Sequence, residues 1–209
     1  MERIKGLAKR VIVMIATAMM TVPGMAVGSA LASDSPTEKW IKLCRKDEQL
    51  KKEVCQTLME LRTPDGQFLA RFMVFELAGE ARRKARIILP TGMLLSPGLK
   101  IQVDQNKAED AKYFYCAPDG CISELLITDA MFADMKKGKV LSVGAQGQAS
   151  NPVSFNFSLD TFKSSNEGKP LDEAEIQKLN KQIEEEIISK RKSLEEQLKD
   201  AQHKAQQSE

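Results

Sequence analysis

Apolar and polar residues alternate in short segments through the middle of the chain, between residues 39 and 162. This alternation is the pattern of strands that bury one face. Gly and Pro interrupt it roughly every ten residues, as turns between antiparallel strands do. The predicted strands cover residues 39–44, 55–61, 68–77, 84–89, 99–103, 112–116, 122–127, 140–145 and 153–159, with a short edge element at 93–95.

These strands predict a mainly β fold, an antiparallel β-sandwich or a barrel-like domain, over residues 33–163. One helix is plausible inside it, at residues 128–136, where Asp129 could serve as the N-cap. Residues 164–171 are polar and contain Gly and Pro, which predicts a linker.

The last segment has a different pattern, because residues 172–205 contain no Gly or Pro and are rich in Glu, Lys, Gln, Ala and Leu. Asp172 and Glu175 have the spacing of a capping box, so we expect a long charged helix over residues 172–207. Its apolar positions form one narrow stripe: Ile176, Leu179, Ile183, Ile187, Leu194, Leu198, Ala201 and Ala205. Such a stripe fits a coiled coil in a homo-oligomer, a helix docked on the β domain, or a solvated single helix.

The amino terminus is typical of an export signal. Residues 1–10 carry four cations and one anion, residues 11–22 are uncharged and apolar, and Ala30-Leu31-Ala32 has the small-x-small pattern of a cleavage site. We therefore predict a helical signal peptide over residues 1–32, cut between Ala32 and Ser33. The alternative is an uncleaved anchor over residues 11–32. The mature chain is expected to have no transmembrane span and to be periplasmic, outer-membrane associated or secreted.

All four cysteines lie beyond this signal, in an expected oxidising compartment. Short loops favour the pairs Cys44 with Cys55 and Cys116 with Cys121, and the residues between the second pair include Pro118, Asp119 and Gly120, which are typical of a tight turn. Neither spacing is that of a zinc site. We expect two disulfides and no bound metal.

Charge and chemistry narrow the function classes. The net charge of the whole chain is +2 and falls to −1 without the four cations and one anion of residues 1–32, which argues against binding to nucleic acid. The single His is His203, near the end of the chain, and neither Ser96 nor Ser142 lies in a nucleophile elbow. We therefore expect no enzyme activity and no cofactor.

The densest cationic run of the mature chain is Arg82, Arg83, Lys84 and Arg86. It is a candidate binding site for anionic envelope or host-surface molecules. In a strand, however, alternation would split the run, and a solvated hairpin or a charged edge is the simpler interpretation. Trp40, the one Trp, is a candidate surface anchor, although packing over the neighbouring disulfide is the more ordinary role.

Several sequence segments occur in an order that is typical of one protein family. Trp40, Cys44 and Cys55 come first, then the runs IILPTGMLLSPGLKIQVD from Ile87 to Asp104 and FYCAPDGC from Phe114 to Cys121. The run MKKG follows at 135–138 and FNFSL at 155–159. In these segments, over roughly residues 38–163, the chain resembles the invasion-associated locus B family of α-proteobacterial envelope proteins. The family's end motif is usually Leu-x-Gly-Phe, whereas this chain has Thr161 in place of the Gly.

The resemblance implies an exported domain linked in some host-associated bacteria to entry into host cells, red cells in particular. It implies no catalytic residues. The expected function is thus a non-enzymatic binding or adhesion module of the cell envelope, whose partner is another envelope or host-surface protein or glycan. The alternative is a structural or chaperone-like periplasmic protein that oligomerises through residues 172–207.

Overall fold

The structure is a computed structural model and describes residues 39–206. The predicted signal peptide, the cleavage between Ala32 and Ser33 and the alternative anchor at 11–32 all lie outside the described residues. Among the residues that are described, no helix is both long enough and apolar enough to cross a membrane.

Within residues 39–206, nine strands and three helices follow one another. The strands are β1 (Ile41–Asp47), β2 (Lys52–Arg62), β3 (Phe68–Leu77), β4 (Arg83–Leu89), β5 (Leu99–Val103), β6 (Glu109–Ala117), β7 (Gly120–Ile127), β8 (Val140–Gln146) and β9 (Pro152–Ser158). The helices are α1 (Asp129–Lys137), α2 (Phe162–Glu167) and α3 (Glu173–Gln206), and a 3-10 helix covers Gln148–Ser150. The predicted mainly β fold with a long C-terminal helix is confirmed.

All nine strands belong to one antiparallel sheet with the order β1-β2-β3-β4-β7-β6-β5-β8-β9. Strand β6 forms the corner of this sheet: Glu109 and Ala111 pair with β5, whereas the residues from Lys112 onwards pair with β7. At this corner Gly98 is required, because a Cβ there would lie 2.5 Å from the carbonyl oxygen of Ala111. The sheet therefore curls into a half-barrel, so the barrel-like form is observed and not a two-sheet sandwich.

The core lies on the inner, concave side of the curled sheet, where alternate residues of each strand meet. An aromatic cluster occupies its centre: the ring centroids of Trp40 and Phe162 are 4.8 Å apart, and Phe72 and Phe157 are 5.9 Å apart. All four of these side chains are at most 2% exposed. Aromatic rings at such distances and edge-to-face angles pack favourably, so this cluster holds the two ends of the sheet around a common core.

Trp40 also links the two edge strands by hydrogen bonds. Its indole Nε1 donates to the carbonyl oxygen of Ser158, which ends β9, at 2.7 Å. Its backbone N–H donates to the hydroxyl of Thr161 at 3.1 Å. Thr161 stands where the family resemblance leads us to expect Gly, and its φ of −104° needs no glycine. The replacement therefore leaves the turn intact and adds a hydrogen-bond acceptor.

Two local predictions are corrected by the structure. The N-cap of α1 is Thr128 and not Asp129, since the Thr128 hydroxyl accepts a hydrogen bond from the backbone N–H of Met131. The predicted edge element at residues 93–95 is reduced to a single bridge between Met93 and Gly147. Pro and Gly on both sides of Met93 leave too few residues there for a strand.

The predicted linker at residues 164–171 is also corrected, because α2 occupies its first half and packs on the domain. Asn166 is 5% exposed and donates a hydrogen bond to the hydroxyl of Thr57. The Lys42 ammonium donates to the carbonyl oxygens of Asn166, in the last turn of α2, and of Gly168, its C-cap. Leu171 N–H then donates to the Lys42 carbonyl oxygen at 2.9 Å. These contacts fix the segment along the edge of β1.

Helix α3 begins with the predicted capping box: Glu175 N–H donates to the Asp172 carboxylate and Asp172 N–H to the Glu175 carboxylate, both at 2.9 Å. Its first half lies on the outer side of the sheet. A Cβ on Gly66 in the β2–β3 turn would meet Ile187 at 2.7 Å, so glycine is required there both for close packing and for its φ of +90°. The Arg191 guanidinium donates to the Asp65 carbonyl oxygen at 3.1 Å.

Candidate functional site

Both disulfides join residues that lie opposite each other on neighbouring strands. Cys44 on β1 is bonded to Cys55 on β2, and Cys116 on β6 to Cys121 on β7. This is the pairing that the short loops predicted. Each bond fixes one hairpin, and such bonds persist in oxidising compartments. The disulfides are therefore consistent with an extracytoplasmic location.

Glu53 lies beside the first disulfide, and potential ligand atoms of Cys44, Glu53 and Cys55 all lie within 4.8 Å of one another. Metals bind cysteine as the thiolate. Both sulfur atoms are engaged in the disulfide, so this cluster does not offer the donor set of a metal site.

Trp40 is a core residue, which corrects its candidate role as a surface anchor. Its side chain is 2% exposed and lies among the rings of Phe72, Phe157 and Phe162. A large aromatic side chain this deeply buried cannot contact a partner without opening the core. Trp40 therefore contributes to folding and does not form part of a binding surface.

The candidate cationic run is divided between the two sides of the sheet. Within β4, Arg83 points to the inner side with the fully buried Ala85, whereas Lys84 and Arg86 point outward. Arg82 precedes the strand and is exposed. The predicted splitting is confirmed. The interpretation as a charged edge is wrong, because β4 lies inside the sheet between β3 and β7.

Arg83 forms a polar cluster at one end of the core. Its guanidinium carbon lies 4.1 Å from the ring centroid of Phe132, and its nitrogens lie 3.1 Å from the Glu76 carboxylate and 3.0 Å from that of Asp129. Asn166 of α2 donates a second hydrogen bond to Glu76. Arg83 thus ties β3, β4, α1 and α2 together, and it is engaged within the protein.

On the outer side, Lys84 and Arg86 share one carboxylate. The Lys84 ammonium lies 2.9 Å from Glu124 Oε2, and the Arg86 guanidinium lies 2.7 Å from Glu124 Oε1. The hydrogen bond from Lys84, aided by Arg86, lowers the pKa of Glu124 despite the opposing effect of burial. Glu124 therefore stays ionised at neutral pH and holds both cations in place while neutralising only one charge.

A groove of about 440 Å³ opens beside these side chains on the outer face, and we call it the cationic groove. It is lined by Leu50, Val54, Phe75, Glu76, Leu77, Glu80, Arg82, Arg83, Lys84, Arg86 and Leu126. Leu50 and Leu126 are 55% and 63% exposed. Among the cations of the lining, Arg82 is exposed and Lys84 and Arg86 point outward, so the groove combines an apolar surface with a cationic rim. Exposed apolar surface rimmed by polar residues is typical of interaction sites.

A second exposed apolar area lies at the end of the β6–β7 hairpin. Phe114 and Tyr115 are 73% and 51% exposed, and their ring centroids are 5.6 Å apart. The register of β6 on β7 shifts at Phe114, which is the effect of a β-bulge and brings neighbouring side chains closer than a regular strand would. Tyr115 lies opposite Ile122, which in turn pairs with Ile88 of β4.

Two features of the cationic groove were not predicted from the sequence: its apolar half and Glu124, the acid that holds Lys84 and Arg86 at the rim. Phe75 and Leu77 lie on β3 out of phase with the buried Phe72 and Val74. A strand with apolar residues on both faces indicates a second apolar surface, and this pattern could have predicted that half of the groove. Nothing in the sequence placed Glu124 beside a basic run 38 residues away in the chain. That contact depends on β4 pairing with β7.

Comparisons with known proteins agree with this architecture. The family described as Invasion associated locus B (IalB) protein matches residues 40–170. The crystal structure of invasion associated protein b from Bartonella henselae has a similar fold, with a TM-score of 0.56 and 21% sequence identity over 61% of this chain and 87% of that chain. No curated protein matches the chain.

The family match covers all nine strands, α1, α2 and both disulfides, and it ends just before α3. It thus includes the whole core and the residues that form the cationic groove. Since this segment is more than half of the sequence, the chain belongs to the invasion associated locus B (IalB) family.

Proposed function

We propose that this protein is an exported, non-enzymatic binding protein of the bacterial cell envelope. Its cationic groove holds an acidic, partly apolar surface of a protein or glycan in the envelope or on a host cell. The single observation that carries the proposal is the exposed apolar floor of the groove beneath a cationic rim on the outer face.

The rim is available for long-range attraction. Arg82 is exposed and forms no ion pair within the described part of the chain. Lys84 and Arg86 together carry one charge more than Glu124 neutralises. Cations on a rim mainly accelerate encounter with an acidic partner and make the affinity sensitive to salt.

The apolar floor supplies the complementary contribution. Leu126 and Leu50 are more than half exposed. Lys84 of the cation-bearing strand β4 pairs with Phe75 of β3 on one side and with Leu126 of β7 on the other. The Arg86 guanidinium carbon already lies 5.3 Å from the centroid of the Phe75 ring. Binding that removes this surface from water contributes about 25 cal/mol per Å². Partner selection therefore depends on both charge and shape.

The chemistry of the groove supports binding and not catalysis. Its lining includes no Ser, Cys or His that could act as a nucleophile or base. Its two acids are already engaged, Glu76 with Arg83 and Glu80 with Lys52.

Family membership supports a role linked to invasion, and the disulfides support export. By its resemblance to proteins linked to entry into red cells, this chain is proposed to act at the surface of an erythrocyte or at the bacterial envelope. A structural or chaperone-like assembly protein is the second candidate. One observation favours it: the distal half of α3 carries exposed leucines.

The proposal is tested by binding to erythrocyte membranes and to outer-membrane fragments. The protein is purified from its own cells, and Arg82→Gln/Lys84→Gln is compared with Lys100→Gln/Lys107→Gln, which removes two exposed cations elsewhere. We expect the groove variant to bind roughly tenfold more weakly and the control to bind like the wild type. Raising the salt concentration should weaken wild-type binding and bring it towards the groove variant.

Pretreating the membranes separates the two classes of partner, since sialidase removes an acidic glycan and protease removes a protein. Loss of binding after sialidase treatment identifies a glycan partner, and loss of binding after protease treatment identifies a protein partner. Equal binding of the groove and control variants would refute the role of the groove, and absence of binding to both membrane types at physiological salt would refute the function.

A further inference from the structure

Helix α3 passes through two environments along its length. In the first half, Ile176, Leu179, Ile183 and Ile187 are half-buried on the outer side of the sheet. From Arg191 to the end of the helix every residue is exposed. The 15 residues after Arg191, whose guanidinium contacts the β2–β3 turn, extend about 22 Å past that contact.

The exposed half continues the same apolar stripe. Leu194, Leu198 and Ala201 follow Ile187 in steps of seven, four and three residues, which keeps all of them on one helix face. Leu194 is 37% exposed and Leu198 is 62% exposed. The face that docks on the sheet in the first half of the helix is therefore uncovered in the second half.

We propose that residues 191–206 of α3 pair with the same residues of a second copy of this chain in antiparallel orientation. The narrow stripe has about one apolar residue per turn, the width of a helix–helix seam. Its continuity with a face that already packs in this protein argues that it is a packing surface and not a solvated one.

Orientation follows from the position of the sheet. Along the first half of α3, the β domain occupies the space in front of the stripe. A parallel partner would place its own first half in that space and would overlap the sheet. An antiparallel partner runs away from the sheet along the exposed half, so each β domain lies beyond the end of the other helix.

A second copy also fits the side chains better than a lipid surface does. Residues 191–206 include the cations Arg191, Lys192, Lys199 and Lys204 and the anions Glu195, Glu196 and Asp200. Helices that lie in an anionic membrane surface combine a wide apolar face, often with Trp or Phe, with a mainly cationic polar face. Mixed charge and the absence of aromatic residues in this segment favour a protein partner of the same composition.

Leu198 and Ala201 provide a suitable central layer. In an antiparallel pair centred between these two residues, Leu198 of each chain faces the small side chain of the partner's Ala201. Large residues that face small ones let helices approach closely. Lys192, Glu196, Lys199 and Asp200 lie on the other side of the helix by helical spacing. Arg191 lies on the stripe itself, three residues before Leu194, and donates to the Asp65 carbonyl oxygen.

The oligomeric state tests the pairing. The protein purified from its own cells is sedimented at concentrations from about 1 to about 300 µM, the range expected for a seam of two to three layers. We expect the average mass to rise towards twice that of the monomer. Leu194→Asp/Leu198→Asp should remain monomeric with unchanged helix content by circular dichroism. Leu50→Asp/Leu126→Asp, the matched change in the groove, should dimerise like the wild type.

Orientation is tested with a spin label on Gln177→Cys, an exposed residue in the docked half. An antiparallel pair places the two labels about 65 Å apart along the axis, whereas a parallel pair places them side by side. A short distance would overturn the proposed orientation. A monomer at every concentration, or dimerisation that survives the helix variant but not the groove variant, would overturn the pairing itself.

A lipid occupant is a third outcome of the same series. Flotation with vesicles of phosphatidylethanolamine and phosphatidylglycerol in a three-to-one mixture would overturn the proposal if the wild type floats and the helix variant does not. The groove and the helix are tested by separate variants. Failure of the groove to bind membranes would leave the pairing of α3 intact, and failure of α3 to dimerise would leave the function proposed for the groove intact.

Discussion

The inner and outer faces of the curled sheet use the same kinds of side chain in different ways. On the inner face, Arg83 is covered by Phe132 and shared by two carboxylates. One residue later on the same strand, Lys84 faces outward and is 49% exposed. The role of a cation in this fold is therefore set by what covers its side of the sheet, and not by its neighbours in sequence.

The apolar residues differ between the faces in the same way. The inner face is closed by α1 and α2, and its aromatic cluster is excluded from water. The outer face is covered by α3 near β1 and β2, whereas Leu126 and Tyr115 farther along the sheet remain exposed. Apolar surface stabilises the fold on the first face and is available to a partner on the second.

The largest expected effect comes from opening the inner face. Trp40→Ala removes a fully buried ring and the indole hydrogen bond to Ser158, so we expect a loss of about 3–5 kcal/mol of unfolding free energy. Leu126→Ala on the outer face should cost less than about 0.5 kcal/mol. Urea denaturation of both variants measures the difference. Equal losses would contradict the division into a structural and an available face.

An intermediate loss of stability is expected from the basic run on β4, because its residues lie on both faces of the sheet. Arg83→Met leaves Glu76 without its cation at the end of the core and should cost about 1–3 kcal/mol. Lys84→Met removes an exposed ion pair and should cost at most about 1 kcal/mol. Thermal unfolding at low and high salt checks both values. If Lys84→Met proved the more destabilising of the two, the assignment of inner and outer sides would be wrong.

The smallest expected effect on stability is the contribution of Glu124, the acid that holds Lys84 and Arg86 at the rim of the groove. Because the pKa of Glu124 is lowered in the folded protein below its ordinary value of 4.5, ionised Glu124 stabilises the fold above that pH, and the stabilisation is lost as the pH falls through the lowered pKa. The wild type should therefore lose more stability than Glu124→Gln between about pH 5 and about pH 3. Parallel pH profiles for the two proteins would contradict the pairing of Glu124 with Lys84 and Arg86.

Local signals predicted much of the fold. Strands such as Phe68–Leu77 and Leu99–Val103 were placed at their observed bounds, because alternation and flanking Gly or Pro depend on nearby residues. The capping box at Asp172 and the two disulfides were predicted for the same reason. The linker was wrong, since Asn166 is polar in sequence but is buried by a hydrogen bond to Thr57, which is distant in the chain.

Local sequence patterns were sufficient to predict the nine strands, the helices α1 and α3 and the division of the basic run by strand alternation, and they favoured the observed pairing of the cysteines. Tertiary structure alone decided that β4 is an interior strand, that Glu124 meets Lys84 and Arg86, and that the stripe of α3 is half covered. The physical reason is that hydrogen bonding and side-chain alternation within an element are local, whereas the curl of the sheet brings together residues far apart in the chain. The candidate binding face is a product of that curl.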